Sequence, residues 1–378
     1  MDAADSGWEM AAITGKINQY YFCGTMQDGV LFIPRDGEPV FWIRRSYDRA
    51  VAESLFPDIR PMRSYRDAAE GMGSFPLTCH IETEIVVVAL LERFRKYFPA
   101  EKFLPLDAQI AAVRAEKSPY EIDLMRRAGA IHARVLEDRV PEMLRAGMSE
   151  AELGSELHTV LIEEGHQGIV RFGMFETEIV LGQIAFGTNS IAPTYFNGPG
   201  GSVGLSAAVP LLGSRDRLLQ KGDLVFLDVG CGYEGYHTDK TVVYQYGAPL
   251  PDEAIRCHQF CLTLEEEMAS LLRPGAIPSA IYRHILDTIP PAYNQNFMGY
   301  GNRRAQFLGH GVGLLVDEYP VIAEGFDEPL ISGMAIAIEP KIGVAGVGMV
   351  GTENTYLVRP DGGESITGSS AGLIEVGF

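Results

Sequence analysis

Short apolar runs separated by turn residues fill the first hundred positions, and longer apolar stretches at helical spacing follow them. Val30-Leu31-Phe32-Ile33 and Pro39-Val40-Phe41-Trp42-Ile43 flank the polar stretch Arg35-Asp36-Gly37-Glu38, which predicts a hairpin with an Asp-Gly turn. Ser46 to Leu55 reads as a helix, and Glu84 to Leu91 opens a helix or strand that ends near Pro99. The character changes around residues 107–115. Ser118-Pro119 sets a capping serine before a proline at the first helical position, where its missing N–H is harmless, and Glu121 completes a capping box. Helical periodicity continues to about Met143, and a second helix runs from Ser149 to Gly165. From Phe172 onward strands and glycine-rich loops dominate, with helices near 252–272 and 278–289. The pattern predicts a small α/β domain over 1–112 and a larger domain over 113–378.

Two of the predicted hairpins carry acidic residues at matched places. The apolar strand Leu224-Val225-Phe226-Leu227 runs into Asp228, and Tyr236-His237-Thr238-Asp239 returns after the turn. A turn centred between Tyr233 and Glu234 sets Asp228 directly opposite Asp239. In the second hairpin, Ala335-Ile336-Ala337-Ile338 runs into Glu339, and centring the connection on Gly346 sets Glu339 opposite Glu353. Facing carboxylates repel unless a cation lies between them, and a buried unpaired carboxylate is costly. His310, flanked by Gly309 and Gly311, adds an imidazole. Four carboxylates and one histidine form an oxygen-rich donor set that suits paired Mn, Fe(II), Co or Zn. Two such ions about 3.5–4 Å apart share a bridging hydroxide and polarise a carbonyl, with Glu339 beside that water as the proton shuttle.

Composition narrows the partners. The chain has 378 residues, 46% hydrophobic and 21% charged, which suits an ordinary globular protein of two domains. Fifty acidic residues against 31 basic ones give a net charge of −19, which repels phosphate backbones and anionic membrane surfaces. No nucleic-acid partner and no membrane are expected, and no stretch reaches the roughly 18–20 apolar residues of a membrane span. The start Met1-Asp2-Ala3-Ala4-Asp5 is acidic where a signal peptide is basic, so a cytoplasmic location is expected. Five scattered cysteines read as reduced thiols.

At these residues the sequence resembles the aminopeptidase P, prolidase, methionine aminopeptidase and creatinase family, nearest to its Xaa-Pro peptidase branch. Residues 19–50 are similar to its N-terminal domain and Val113 to Arg126 to its interdomain junction. Asp228, Asp239, His310, Glu339 and Glu353 fall in order on its five metal-ligand positions. The resemblance implies an α+β fold: a small creatinase/prolidase-like N-terminal domain and a pita-bread domain, a curved antiparallel sheet with outer helices, in a homodimer. It implies two divalent ions (Mn, Co, Fe or Zn) that activate water to hydrolyse short peptides, often before proline. Three positions depart from the family pattern. Thr194, in Gly187-Thr188-Asn189-Ser190-Ile191-Ala192-Pro193-Thr194, and Asp317, seven residues after His310, stand where the family has histidines. Gly351 stands where proline-specific members have arginine. Thr194, Asp317 and His237, which shares the strand face of Asp239 by parity, are the candidate substrate-binding residues, with Arg171, Tyr195 and Tyr236 weaker ones. The departures keep open a non-peptide small-molecule substrate (creatinase-like or lyase chemistry) and a non-catalytic binding protein on the same scaffold.

Overall fold

The computed structural model describes residues 1, 5, 7–175, 177–369 and 372–378. It divides into two compact units, Met1–Arg114 and Ala115–Phe378. Among the described residues no helix is long and apolar enough to cross a membrane. The five cysteines are buried and unbridged.

The first unit is a mixed sheet of β1 (Met10–Ile13), β2 (Asp28–Pro34), β3 (Val40–Arg45), β4 (Ile59–Pro61), β5 (Thr78–Ile81) and β6 (Lys102–Pro105). The strand order is β4-β3-β2-β1-β5-β6. The expected hairpin is β2–β3, with Phe32 paired to Val40 and Val30 to Trp42. Its runs are continuously apolar because both faces are covered. Val30, Phe32 and Trp42 pack with Phe94 and Phe98 on one side, and Leu31, Phe41 and Ile43 pack with Ile110 on the other. The expected helix after Ser46 spans Tyr47–Glu53. The apolar segment from Glu84 becomes helical only at Val88, and that helix ends at Arg95.

The second unit opens with the helix Pro119–Arg134. Its capping box is formed: Glu121 N–H donates to Ser118 Oγ, and Ser118 N–H donates to Glu121 Oε2 at 2.8 Å. The helix widens into a π turn over Val135–Arg139 before Val140–Met143. Pro141 lacks the N–H an α-turn would need there, and a π turn absorbs the mismatch. A second boxed helix covers Glu150–Glu163.

The strands that follow are β7 (Gly182–Phe186), β8 (Leu224–Tyr233), β9 (Tyr236–Tyr246), β10 (Gly299–Tyr300), β11 (Arg303–Arg304), β12 (Phe307–Gly311) and β13 (Glu318–Ala323). Then come β14 (Ala335–Ile338), β15 (Lys341–Val344), β16 (Gly348–Gly351), β17 (Asn354–Leu357), β18 (Glu364–Ser365) and β19 (Ile374–Val376). Among the described residues they form one sheet of order β19-β9-β8-β7 and another of order β13-β12-β14-β17-β18. The β15–β16 ribbon prolongs the β14–β17 hairpin beyond Pro340. The two sheets join where Thr241 N–H donates to Glu353 O at 3.1 Å.

Helices cover each sheet from outside. Val225, Leu227 and Val229 of β8 pack with Ile131, Leu136, Leu153 and Leu157. Ile336, Ile338, Val344 and Val350 pack with Ala254, Cys261, Met268 and Ile285 of the helices Asp252–Leu271 and Pro278–Thr288. Each such aliphatic side chain contributes about 1.5–3 kcal/mol by burial. Side chains alternate along a strand, so Asp228, out of phase with Leu227 and Val229, faces away from the first helix layer.

Candidate metal centre

The first hairpin differs by one step from its expected register. Tyr233 pairs with Tyr236, so the turn centres on Glu234-Gly235, whose φ angles are 47° and 90°. Both central residues at positive φ make the tight turn whose twist matches paired strands, and Gly235 accepts that conformation without strain. Asp228 therefore pairs with Thr241, and Asp239 with Gly230. Asp228 and Asp239 are not directly opposite, but the shift is even in parity, so they remain diagonal neighbours on one face. The second hairpin keeps the expected register: Ile338 pairs with Asn354 and Lys341 with Gly351, bracketing Glu339 and Glu353 at the bend between them.

The bend and the sheet junction bring all five expected ligand residues together. Oxygens of Asp228, Glu339 and Glu353 converge in one group, and oxygens of Asp239 and Glu353 with a ring nitrogen of His310 in another. His310 comes from β12, paired to Ala337 of β14. Its Nδ1 lies 3.1 Å from Gly311 O, so Nδ1 carries the proton and Nε2 is left as the donor atom to a metal. Nε2 is 3.6 Å from Glu339 Oε1, 3.6 Å from Glu353 Oε1 and 3.9 Å from Asp239 Oδ2. Those gaps are too long for hydrogen bonds. Glu353 Oε1 is buried without a hydrogen-bond partner, which is costly unless a cation meets it. Hard oxygen donors plus one imidazole nitrogen fit a divalent ion of the Mn, Fe, Co or Zn kind.

A lysine that the sequence reading did not single out sits in the same cluster. Lys341 Nζ donates to Glu353 Oε2 at 2.6 Å, Glu339 Oε2 at 2.8 Å and Asp228 Oδ2 at 3.2 Å. It lies two residues after Glu339 in an otherwise apolar strand, and that parity was the available signal. Burial disfavours its charge, but the three carboxylates outweigh burial and raise its pKa well above the ordinary value. Burial pushes Glu339 up to about 8 and Asp228 up to about 6 despite the lysine. Burial and the neighbouring Glu353 and Asp228 raise Asp239 well above its usual range. Burial opposes ionisation of Glu353, yet Lys341 and His310 hold it below the usual carboxylate range.

A surrounding frame orients these ligands. Glu265, from the helix Asp252–Leu271, accepts from Thr352 Oγ1 at 3.0 Å and Asn354 Nδ2 at 2.8 Å, fixing both neighbours of Glu353. Thr241 Oγ1 donates to Glu353 Oε2 at 3.0 Å, and Asp239 N–H donates to Thr355 Oγ1 at 2.9 Å. Glu265 was not legible beforehand, because nothing in a helical repeat marks which acid turns inward.

The candidate substrate residues separate. Asp317 lines the cavity over the cluster, 3.9 Å from His310 Nδ1, and burial raises its pKa. His237 is fully buried: Arg171 N–H donates to its Nε2 at 3.1 Å and its Nδ1 faces Gly313 O at 3.1 Å. Both nitrogens are engaged by main chain, so the ring anchors two loops, and burial lowers its pKa to about 4. Thr194 is outside the cavity wall and accepts from Phe196 N–H, while Phe196, Asn197 and Gly198 of the same loop line the cavity. Tyr236 donates to Glu121 Oε1 at 2.9 Å and Tyr195 is half exposed. At Gly351, φ is 135° and a Cβ would meet Pro340 O at 2.4 Å, so this backbone does not admit the family's arginine.

Comparison with known proteins adds to this geometry. The profile of metallopeptidase family M24 matches residues 123–360, and that of the creatinase/prolidase N-terminal domain matches 2–115. An uncharacterized peptidase of Staphylococcus aureus is 28% identical over 372 residues, 96% of this chain and 95% of that one. A probable dipeptidase, PepE, of Mycobacterium tuberculosis is 31% identical over 265 residues, 70% of this chain and 61% of that one. The fold is similar to the Xaa-Pro dipeptidase from Bacillus anthracis, with a TM-score of 0.81 at 22% identity over 99% of this chain and 97% of that one. It is also similar to the prolidase from Pyrococcus furiosus, with a TM-score of 0.78 at 22% identity over 97% and 98% of the two chains.

Proposed function

Because the chain belongs to metallopeptidase family M24, a hydrolase family that depends on metal, we propose that it cleaves short peptides of the Xaa-Pro kind. The observation that carries this reading is the convergence of Asp228, Asp239, His310, Glu339 and Glu353 beneath one cavity. Those residues would hold divalent metal, which when bound supplies Lewis acidity toward a peptide carbonyl and lowers the pKa of a water.

The chain's own groups do the rest. Glu339 is placed to take a proton at Oε1 and return it to the departing amine, while Lys341 holds Oε2. Phe172 and Phe196, with ring centroids 5.1 Å apart, wall the cavity with apolar surface. Asp317 offers its carboxylate to the peptide's α-ammonium. The relatives and structural neighbours are named as peptidases, dipeptidases and prolidases, which favours peptide hydrolysis over creatinase-like, lyase or purely binding roles. A homodimer and a cytoplasmic location belong to the same reading, and light scattering on the purified protein tests the first.

The test is cleavage of Xaa-Pro dipeptides and tripeptides after loading with Mn, Co, Fe or Zn, with Asp239→Asn as control. Turnover that Asp239→Asn lowers at least 100-fold is expected, in line with loss of a metal ligand. A metal-loaded protein that cleaves none of these peptides would refute it.

A further inference from the structure

The carboxylate cluster has two poles, and one already holds a cation. Asp228, Glu339 and Glu353 make one convergent group, and Lys341 Nζ lies 2.6–3.2 Å from an oxygen of each. An ammonium has three N–H donors, and all three are satisfied there. Lys341 is 0% exposed, so no water competes for them. The other pole is different. Glu353 Oε1 has no hydrogen-bond partner, and its separations from His310 Nε2, and from there to Asp239 Oδ2, are 3.6 and 3.9 Å. Those are distances that an ion about 2.0–2.2 Å from each donor spans.

The backbone beside the lysine is shaped for it. Gly351 pairs directly with Lys341, and a Cβ there would lie 3.0 Å from Lys341 Cγ. The missing side chain leaves room for the lysine stem.

We propose that Lys341 is a built-in cation that takes the place of one of two metal ions, so that the chain holds a single divalent ion on Asp239, His310 and Glu353. The inference rests on the reading above that the cluster holds metal. A second ion on the same oxygens of Asp228, Glu339 and Glu353 would meet the ammonium at close range, and like charges there repel strongly. The two ions that the family resemblance implies are thereby reduced to one.

The test is manganese stoichiometry with electron paramagnetic resonance on the full chain. Wild type should bind one Mn²⁺ per chain with the hyperfine pattern of an isolated ion. Lys341→Met should bind two and show an exchange-coupled pair. Wild type that binds two coupled ions overturns the proposal. Should Lys341→Met not fold, Asp228→Asn and Asp239→Asn decide. The proposal expects Asp228→Asn to keep the ion within about tenfold in affinity and Asp239→Asn to lose it, and equal loss in both overturns it. One bound ion without Xaa-Pro cleavage supports this inference while refuting the peptidase reading.

Discussion

Replacing Lys341 by methionine removes a charge but keeps most of the stem, and the structure sets the size of the effect. The buried Glu339 and Glu353 and the partly buried Asp228 lose a shared hydrogen-bonded ammonium. Breaking a buried ion pair from one side costs about 3–5 kcal/mol, because the partner charge is left uncompensated. Burial already opposes ionisation of Asp228 and Glu339, so a proton on this group of carboxylates can relieve part of this, which points to the lower end of that range. A loss of about 3 kcal/mol in a unit of this size lowers the melting temperature by roughly 6–12 °C. Added metal should offset it, since an ion at a hundredfold its Kd contributes about 2.7 kcal/mol per site. The assay is a thermal melt of wild type and Lys341→Met, each with EDTA and with Mn²⁺. The expected pattern is a large deficit with EDTA and a greater rescue by Mn²⁺ in the variant. A deficit under about 1 kcal/mol with EDTA would refute the view that Lys341 compensates these carboxylates.

Glu265→Ala should leave Thr352 Oγ1 and Asn354 Nδ2 without their acceptor, weakening metal binding about 10–100-fold, which calorimetric titration with Mn²⁺ would detect. His166 gives a pH signature: burial lowers its pKa to about 4, while Gly232 N–H donates to its Nδ1 at 2.9 Å. The unfolded chain protonates this histidine near 6.5 and the folded chain does not, so its contribution is intact above 6.5 and is lost as pH falls toward 4, by at most about 3 kcal/mol. His166→Asn keeps an acceptor for Gly232 and removes the titration, so the difference between urea midpoints at pH 7 and 4.5 should shrink; an unchanged difference counts against this account.

Local patterns carried the hairpins and the capped helices into view, because their determinants lie within a few residues of one another. The Gly346-centred hairpin kept its expected register, whereas the first one slipped a step because Glu234 adopts the positive φ that its identity does not advertise. Parity survived that slip, so Asp228 and Asp239 still share a face. Lys341 escaped notice because a single lysine in an apolar strand ordinarily points to solvent, and only the bend at Pro340 and the junction through Thr241 turn it inward. The wall of the cavity was least legible. Thr194 was placed by alignment of a loop, and loop position depends on distant contacts such as Arg303 donating to Thr194 O, Gly200 O and Phe196 O.

The junction between Thr241 and Glu353 also bears on how the protein is made. The two residues are 112 positions apart in the chain, so their contact closes a long loop that ribosomal synthesis completes late. A chain that ends before His310 presents two neighbouring aspartates with neither the lysine nor the histidine to offset them, and one that ends just before Glu353 has both but lacks the carboxylate common to the two ligand groups. Binding of metal therefore reports that the final strands have docked, and a prematurely stopped chain would be metal-poor. Pulse-labelled nascent chains released at successive lengths would show manganese retention switching on only once residues beyond Glu353 have been added.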